Sequence, residues 1–254
     1  MNYTRTFLDH NFFEGEIIPL NKKEFHHEIN VLRKKVGDKF VVFNGRGHSG
    51  LAEITLLNSK KFEVLIKEIF PFTEREGVRI DLGQSLIKNE PFNFALQKAT
   101  ELGVANFTPL ITERVVVLRK LNDTQKRIAK WQHTAQGACE QCGENWMPEI
   151  NEPKDIKDWS IDNISKTKLV LYPDADVKFS EIEITDSVSI AIGPEGDFTN
   201  VEIAMLKEAG FIPVTMGSRI LRAETAAISA VSAIRYGAKA VSYTHLTLPT
   251  ILLV

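Results

Sequence analysis

Between Ser187 and Ala227 the chain reads SVSIAIGPEGDFTNVEIAMLKEAGFIPVTMGSRILRAETAA, and no other stretch limits the fold as much. Two uncharged apolar runs each end in a glycine turn, and a helical pattern starts soon after each. Val188 to Ile192 is short and β-rich, which predicts a buried strand. Gly193-Pro194-Glu195-Gly196 predicts a tight turn, with glycine supplying φ > 0 and proline a fixed φ. Thr199 and Glu202 stand at capping-box spacing, for a helix through Ala209 that Gly210 closes. Phe211 to Met216 reads as a second strand, Gly217 to Arg222 as its exit loop, and Ala223 to Tyr236 as an alanine-dense helix. Strands alternating with helices imply a parallel sheet, and in open parallel sheets ligands bind beyond the carboxyl ends of the strands. Both strand ends carry glycines that let backbone N–H and C=O groups approach a ligand, and the second adds Arg219 and Arg222. By spacing alone these glycines serve equally well as plain chain reversals, because short glycine turns are weak motifs.

The residues themselves are more specific. IGPEGDFTNVEI followed by MGSRILRAETAA resembles the two signature motifs of the RsmE family, knotted SPOUT-class RNA methyltransferases that methylate N3 of a uridine in 16S ribosomal RNA. The resemblance runs along nearly the whole chain. It implies an α/β fold with a SPOUT-type trefoil-knotted parallel sheet domain preceded by a small PUA-like β-barrel domain. Knots are almost absent from proteins, so the residue pattern alone would not propose one.

The rest of the chain agrees with two units. Asn21 is placed to cap a helix from Lys22 to about Leu32, and Arg33-Lys34-Lys35 forms a basic end to it. His26 and His27 are adjacent and point to different helix faces, which rules out an i,i+4 metal pair. Lys39 to Phe43, Leu51 to Leu57 and Phe62 to Ile69 read as short strands around the glycine-rich connection at Asn44 to Gly50. Closely spaced short strands suggest a small barrel, ending near Phe70. Pro71 to Gly77 is polar and broken, a linker pattern. Beyond it Val78 to Leu82 is a strand, Pro91 suits the first position of a helix to about Leu102, and Phe107 to Ile111 is the next strand. Asp123 is placed to cap a helix from Thr124 to about Glu140. Trp146 to Ser165 reads as polar connection, and Lys168 to Tyr172 as a strand closed by Pro173-Asp174. Residues 1–70, 71–240 and 241–254 are thus expected as a PUA-like RNA-binding barrel, a SPOUT methyltransferase domain and a non-native tail. The tail, VSYTHLTLPTILLV, has no acidic or basic residue except His245 and reads like a translated cloning scar.

Composition excludes little. The net charge of −2 gives no global attraction to nucleic acid, so an RNA-reading surface has to be local. No apolar run is long enough to span a bilayer, and the N-terminus lacks a signal-peptide core, so the expected compartment is the cytoplasm. Cys139 and Cys142 form a C-x-x-C late in a helix without a second pair, which favours incidental thiols over zinc. No metal ligands are expected.

The resemblance implies S-adenosyl-L-methionine as cofactor. It places Leu171, Tyr172, Gly193, Pro194, Glu195, Gly196, Met216, Gly217, Ile220, Leu221, Arg222, Ala223 and Thr225 around it. Uracil N3 must lose a proton before methylation, and the negative charge spreads onto O2 and O4. An arginine aimed at those oxygens stabilises that anion, with Arg222 the first candidate and Arg219 the second. Glu195 or Glu224 is a candidate base, although a Glu in such a loop more often caps backbone N–H groups. Arg5, Arg33, Lys88, Lys98 and Arg114 are the expected RNA contacts. Lys98 and Glu101 are i,i+3, so they equally predict a surface pair. Glu144 stands where the family usually has an arginine, which reverses the local charge. A 16S rRNA partner within the small subunit or its precursor is implied, and a homodimer, with no membrane partner. The rival readings are a nucleotide-binding α/β protein, which lacks a G-x-G-x-x-G or G-x-x-x-x-G-K-[ST] motif here, and a non-catalytic RNA-binding protein using only the barrel.

Overall fold

A computed structural model describes residues 3–20, 34–58, 61–115 and 124–237. The helix expected from Lys22, Arg33, the cap at Asp123 and the segment from Val241 lie outside the described residues.

The first unit is a five-stranded sheet. Its strands are β1 (Arg5–Phe7), β2 (Ile17–Leu20), β3 (Lys39–Phe43), β4 (Ser49–Leu57) and β5 (Phe62–Ile69). They run in the order β1-β3-β4-β5-β2, antiparallel except for the β1–β3 pair. Period-two alternation puts Ala52 and Ile54 of β4 and Phe62, Val64 and Ile66 of β5 into one core with Phe40 and Val42. Register shifts at Leu51/Ala52 and Ile54/Leu56 bend β4, as bulges do.

The second unit is a wholly parallel sheet among the described residues. Its strands are β6 (Arg79–Ser85), β7 (Asn106–Ile111), β8 (Glu149–Ile150), β9 (Lys154–Asp155), β10 (Thr167–Leu171), β11 (Val177–Lys178), β12 (Ser187–Ile192) and β13 (Ile212–Thr215). The order is β11-β13-β10-β12-β6-β7-β8, with β9 also on β7. Helices cover both faces, and each face of the sheet carries its own apolar cluster. Ile80, Leu82, Leu169, Val188 and Ile190 pack against α1 (Asn89–Glu101), α2 (Thr124–Cys142) and α5 (Ala223–Ser232). Val170 and Ala191 face the other way, with α3 (Ile156–Ile161) and α4 (Asn200–Glu208). Ala226, Ala227 and Ala230 of α5 are buried in this chain's own core.

The strand order contains a threading. The chain leaves β10, pairs β11 outside β13, and returns to β12, so β13 lies inside the β10–β12 connection. It enters β13 from α4 on one face and leaves into α5 on the other, where α5 meets α1, β6 and β12. This is the knotted arrangement the resemblance implied.

Three local readings need correction. Pro91 is the third residue of α1, not the first, because Lys88 is the N-cap. It is tolerated there because first-turn N–H groups lack intrahelical partners. The 146–165 stretch is not plain connection, because it holds β8, β9 and α3. Asp155 caps α3 by accepting from Lys157 N, and Trp159 is buried against Phe211. Gly193 and Gly196 do not take positive φ; Asp197 does, at 60°. The glycines are needed for closeness instead. A Cβ on Gly193 would stand 2.9 Å from Asp197 Oδ1, and one on Gly196 3.3 Å from Arg114 Cδ.

The 71–77 segment is tied at the junction of the two units. Trp146 Nε1 donates to Thr73 O at 2.7 Å, and Asn145 Nδ2 donates to Thr73 Oγ1 at 2.8 Å and Ser49 Oγ at 3.2 Å. Gly47 N donates to Asn145 O, and Met147 N to Gly45 O.

Candidate active site

The carboxyl ends of β10, β12 and β13 converge on a cavity of about 510 Å³. Three loops and two helix starts build it. Leu171, Tyr172 and Pro173 come from the end of β10; Gly193, Pro194, Glu195 and Asp197 follow β12; Thr215 to Gly217 and Arg219 to Arg222 follow β13. Lys88 and Pro91 of α1, and Ala223, Glu224 and Ala226 of α5, complete the lining. Each loop is held locally. Asp197 N donates to Pro194 O at 2.9 Å, closing the first glycine turn. The capping box at Thr199 and Glu202 starts α4 directly after it. Glu202 Oε1 also accepts Glu113 N at 2.9 Å, joining this loop to the end of β7. In the second loop Thr215 Oγ1 accepts Gly217 N at 3.3 Å, and Gly217 takes φ 116°. The Arg222 side chain makes no capping bond to the first turn of α5.

Charge is distributed unevenly around this cavity. Arg219 and Arg222 are exposed and make no ion pair among the described residues. Lys88 is exposed at the rim, and its backbone N donates to Glu195 Oε1 at 3.5 Å. Glu195 therefore caps the start of α1. Arg114 Nη1 donates to Gly196 O at 2.6 Å, so Arg114 lies over the outside of the first glycine loop. Burial raises the Asp197 carboxyl above the ordinary carboxylate range, and Asp174 adds to the rise.

Of the cofactor positions expected from sequence, Leu171, Tyr172, Gly193, Pro194, Glu195, Met216, Gly217, Ile220, Leu221, Arg222 and Ala223 line this one cavity. Gly196 and Thr225 do not; Gly196 faces Arg114, and Thr225 is exposed on α5. Arg222, Arg219 and Glu195, the expected catalytic groups, are all in the lining. The expected RNA contacts divide. Lys88 and Arg114 flank the cavity. Lys98 is 2.7 Å from Glu101 and lies over Phe94, the surface pair its spacing predicted. Arg5 sits at the junction of the two units instead of on an open surface. It donates to Asn145 Oδ1 at 2.5 Å and to Glu144 O at 3.3 Å, and its guanidinium lies 5.0 Å from the Phe43 ring. Burial lowers its pKa. Glu144 Oε1 accepts Asn145 N and Trp146 N, so the acid found in place of an arginine caps a turn. Glu224, the other candidate base, lines the cavity as well, and Asp197 and Thr215 line it without having been expected there. Asp197 had a signal, being a polar residue that tolerates φ > 0 directly after a glycine turn.

Residues 74–235 match a family model described as an RNA methyltransferase domain, and residues 20–67 match one described as an RNA methyltransferase PUA domain. Ribosomal RNA small subunit methyltransferase E of Buchnera aphidicola subsp. Schizaphis graminum is 36% identical, over 92% of this chain and 94% of the relative. The chain belongs to the ribosomal RNA small subunit methyltransferase E family. The member from Bacillus subtilis is 28% identical over 88% of this chain and 91% of its own. Solved structures agree. The methyltransferase E of Neisseria gonorrhoeae, bound to S-adenosyl methionine, has a TM-score of 0.84 at 31% identity, covering 92% of this chain and 97% of that one. A methyltransferase of Legionella pneumophila, in complex with the bound cofactor SAM, has a TM-score of 0.88 at 32% identity, covering 93% and 98%.

Proposed function

We propose that this chain transfers a methyl group from S-adenosyl-L-methionine to N3 of a specific uridine in 16S rRNA of the small ribosomal subunit, in the cytoplasm. The observation that carries the reading is the convergence of eleven expected cofactor positions on one cavity at the carboxyl ends of β10, β12 and β13. The donor fits this place. A cavity of about 510 Å³ suits a nucleoside-sized ligand. Gly193 leaves no room for a Cβ beside Asp197, so backbone rather than side chain forms that wall.

The bound donor supplies a methyl group on a positively charged sulfur, already electrophilic. The residues of this chain do the rest by position and charge. The backbone of Gly193, Met216 and Leu221 holds the adenosine part. Arg222 faces the uracil oxygens on which negative charge develops as N3 loses its proton, and Arg219 supports it. Glu195 serves the fold of the loop, since its carboxylate accepts Lys88 N; Glu224, on the cavity wall, is the better placed proton acceptor. Lys88 and Arg114 flank the cavity as phosphate contacts. A paired uridine leaves its stack to reach the site. Residues 1–70 act as the RNA-binding unit and residues 71–240 as the transferase. A homodimer covers the exposed Met216 and Ile220, 37% and 87% accessible at the rim.

The test is a single-turnover reaction of the full chain with labelled donor and small subunits lacking the modification, followed by nucleoside analysis. Label in 3-methyluridine of 16S rRNA is expected. Label in another nucleoside, or none with folded enzyme, sinks the assignment.

A further inference from the structure

Asp197 is the one non-glycine residue with positive φ among the described residues. The conformation is costly for any side chain, though Asp tolerates it better than most, and such outliers gather at functional sites. The conformation has a consequence. It turns the carboxylate back against the end of β12, where Oδ1 accepts Phe198 N at 2.7 Å and stands 2.9 Å from where a Cβ on Gly193 would be. The side chain is on the cavity wall and half-buried. No Lys or Arg nitrogen forms an ion pair with it among the described residues. Arg114, the nearest candidate, gives Nη1 to Gly196 O instead. The carboxyl is accordingly pushed above the ordinary range by burial, with Asp174 adding to it. Arg114 acts on it only at longer range, without an ion pair, and a half-buried carboxylate so placed is stabilised when a ligand brings a cation. Of the cations that line the cavity, Arg219 and Arg222 follow β13 and Lys88 starts α1 beside Glu195, whereas Asp197 follows β12, with β10 between β12 and β13. The cavity thus presents both carboxylates, Glu195, Asp197 and Glu224, and cations, Lys88, Arg219 and Arg222, which suits a zwitterionic ligand.

We propose that Asp197 recognises the positively charged part of the methyl donor, its sulfonium or its α-ammonium, and so orients the donor in the cavity. The inference rests on the proposed cofactor reading. Three ligands separate the possibilities. S-Adenosylmethionine carries both cations, S-adenosylhomocysteine only the ammonium, and 5′-methylthioadenosine neither. Calorimetric titration of each into the full chain, Asp197→Asn and Asp197→Gly is the experiment. Asn keeps size and tolerance of φ > 0, and Gly removes the strain along with the charge. The Asn and Gly variants are expected to bind S-adenosylmethionine about tenfold more weakly, as for a partly screened charge pair, while 5′-methylthioadenosine affinity stays within about twofold. A loss confined to S-adenosylmethionine assigns the sulfonium; a loss shared with S-adenosylhomocysteine assigns the ammonium. Equal losses for all three ligands mean a structural role and overturn the proposal, as does unchanged S-adenosylmethionine affinity. A wild-type chain that binds none of the three removes the cofactor reading and this inference with it.

Discussion

Replacing Arg235 by Ala tests what holds the threaded end of the chain in place. Arg235 follows α5, in the turn Ala233–Gly237. Its guanidinium donates to Glu76 O at 2.6 Å, Gly103 O at 2.6 Å and Leu102 O at 3.1 Å. Three backbone carbonyls from the 71–77 segment and the C-terminal end of α1 are thus joined to the segment that emerges from the knot. A hydrogen bond involving a charged group contributes roughly 1.5–3 kcal/mol when protected from water. Arg235 is half-buried and its bond to Glu76 O is exposed, so about 1 kcal/mol each is the appropriate figure. The cation also sits at the negative end of α1, worth about 0.5 kcal/mol more. The variant should lose about 3.5 kcal/mol, which for a chain of this size lowers the melting midpoint by roughly 7–14 °C. Arg235→Lys keeps one donor in reach and should lose about 2 kcal/mol. Urea unfolding followed by circular dichroism measures both, and donor affinity should not change because Arg235 is absent from the cavity lining. A loss below about 0.5 kcal/mol for Arg235→Ala would show that solvent replaces the clasp at no cost and would refute the argument.

Other expectations follow from single contacts. Arg222→Ala should abolish methyl transfer while leaving the circular dichroism spectrum unchanged; a near-normal single-turnover rate would remove Arg222 from the chemistry. Gly83→Ala should cost about 1–3 kcal/mol in urea unfolding, because its Cβ would stand 2.8 Å from Trp159 Cζ2 and 2.9 Å from Leu110 Cδ1. At pH 8 an alkylating reagent should leave Cys139 unmodified in the native chain, since it is buried and its thiol is pushed up to about 12 by that burial; intact mass before and after denaturation reads this out. The Asp197 carboxyl is raised in the fold, so the native state binds its proton more tightly and stability falls as pH rises from the unfolded value of 3.8 through the folded one. Asp197→Asn should flatten that fall, giving a larger gain over wild type at pH 7 than at pH 3.5, by paired urea titrations.

Local pattern carried the strands and the caps. β12 is uncharged and almost wholly buried, and the Thr199–Glu202 box and Gly210 bound α4 where their chemistry requires. The cavity was legible for the same reason, since its glycine turns stand at strand ends whose polarity a parallel sheet fixes. What failed depended on distant contacts. The turn pattern predicts φ > 0 at Gly193 and Gly196, but their need for small size comes from Asp197 and Arg114, the latter far away in sequence. α3 has six residues and too few apolar positions to show a period; only Trp159 against Phe211 reveals why it is there. Arg5 looks like a surface arginine until its partners 139 and 140 residues away are seen. The insertion of β13 between β10 and β11 is a property of chain order in space, and no local period encodes it.

The central claim is that the cavity at the ends of β10, β12 and β13 holds the methyl donor. Isothermal titration of S-adenosyl-L-methionine into the purified full chain tests it most directly. Saturable binding at one site per chain, weakened by a bulky substitution at Gly193, is the predicted result. A folded chain that gives no binding heat across several temperatures would contradict the account.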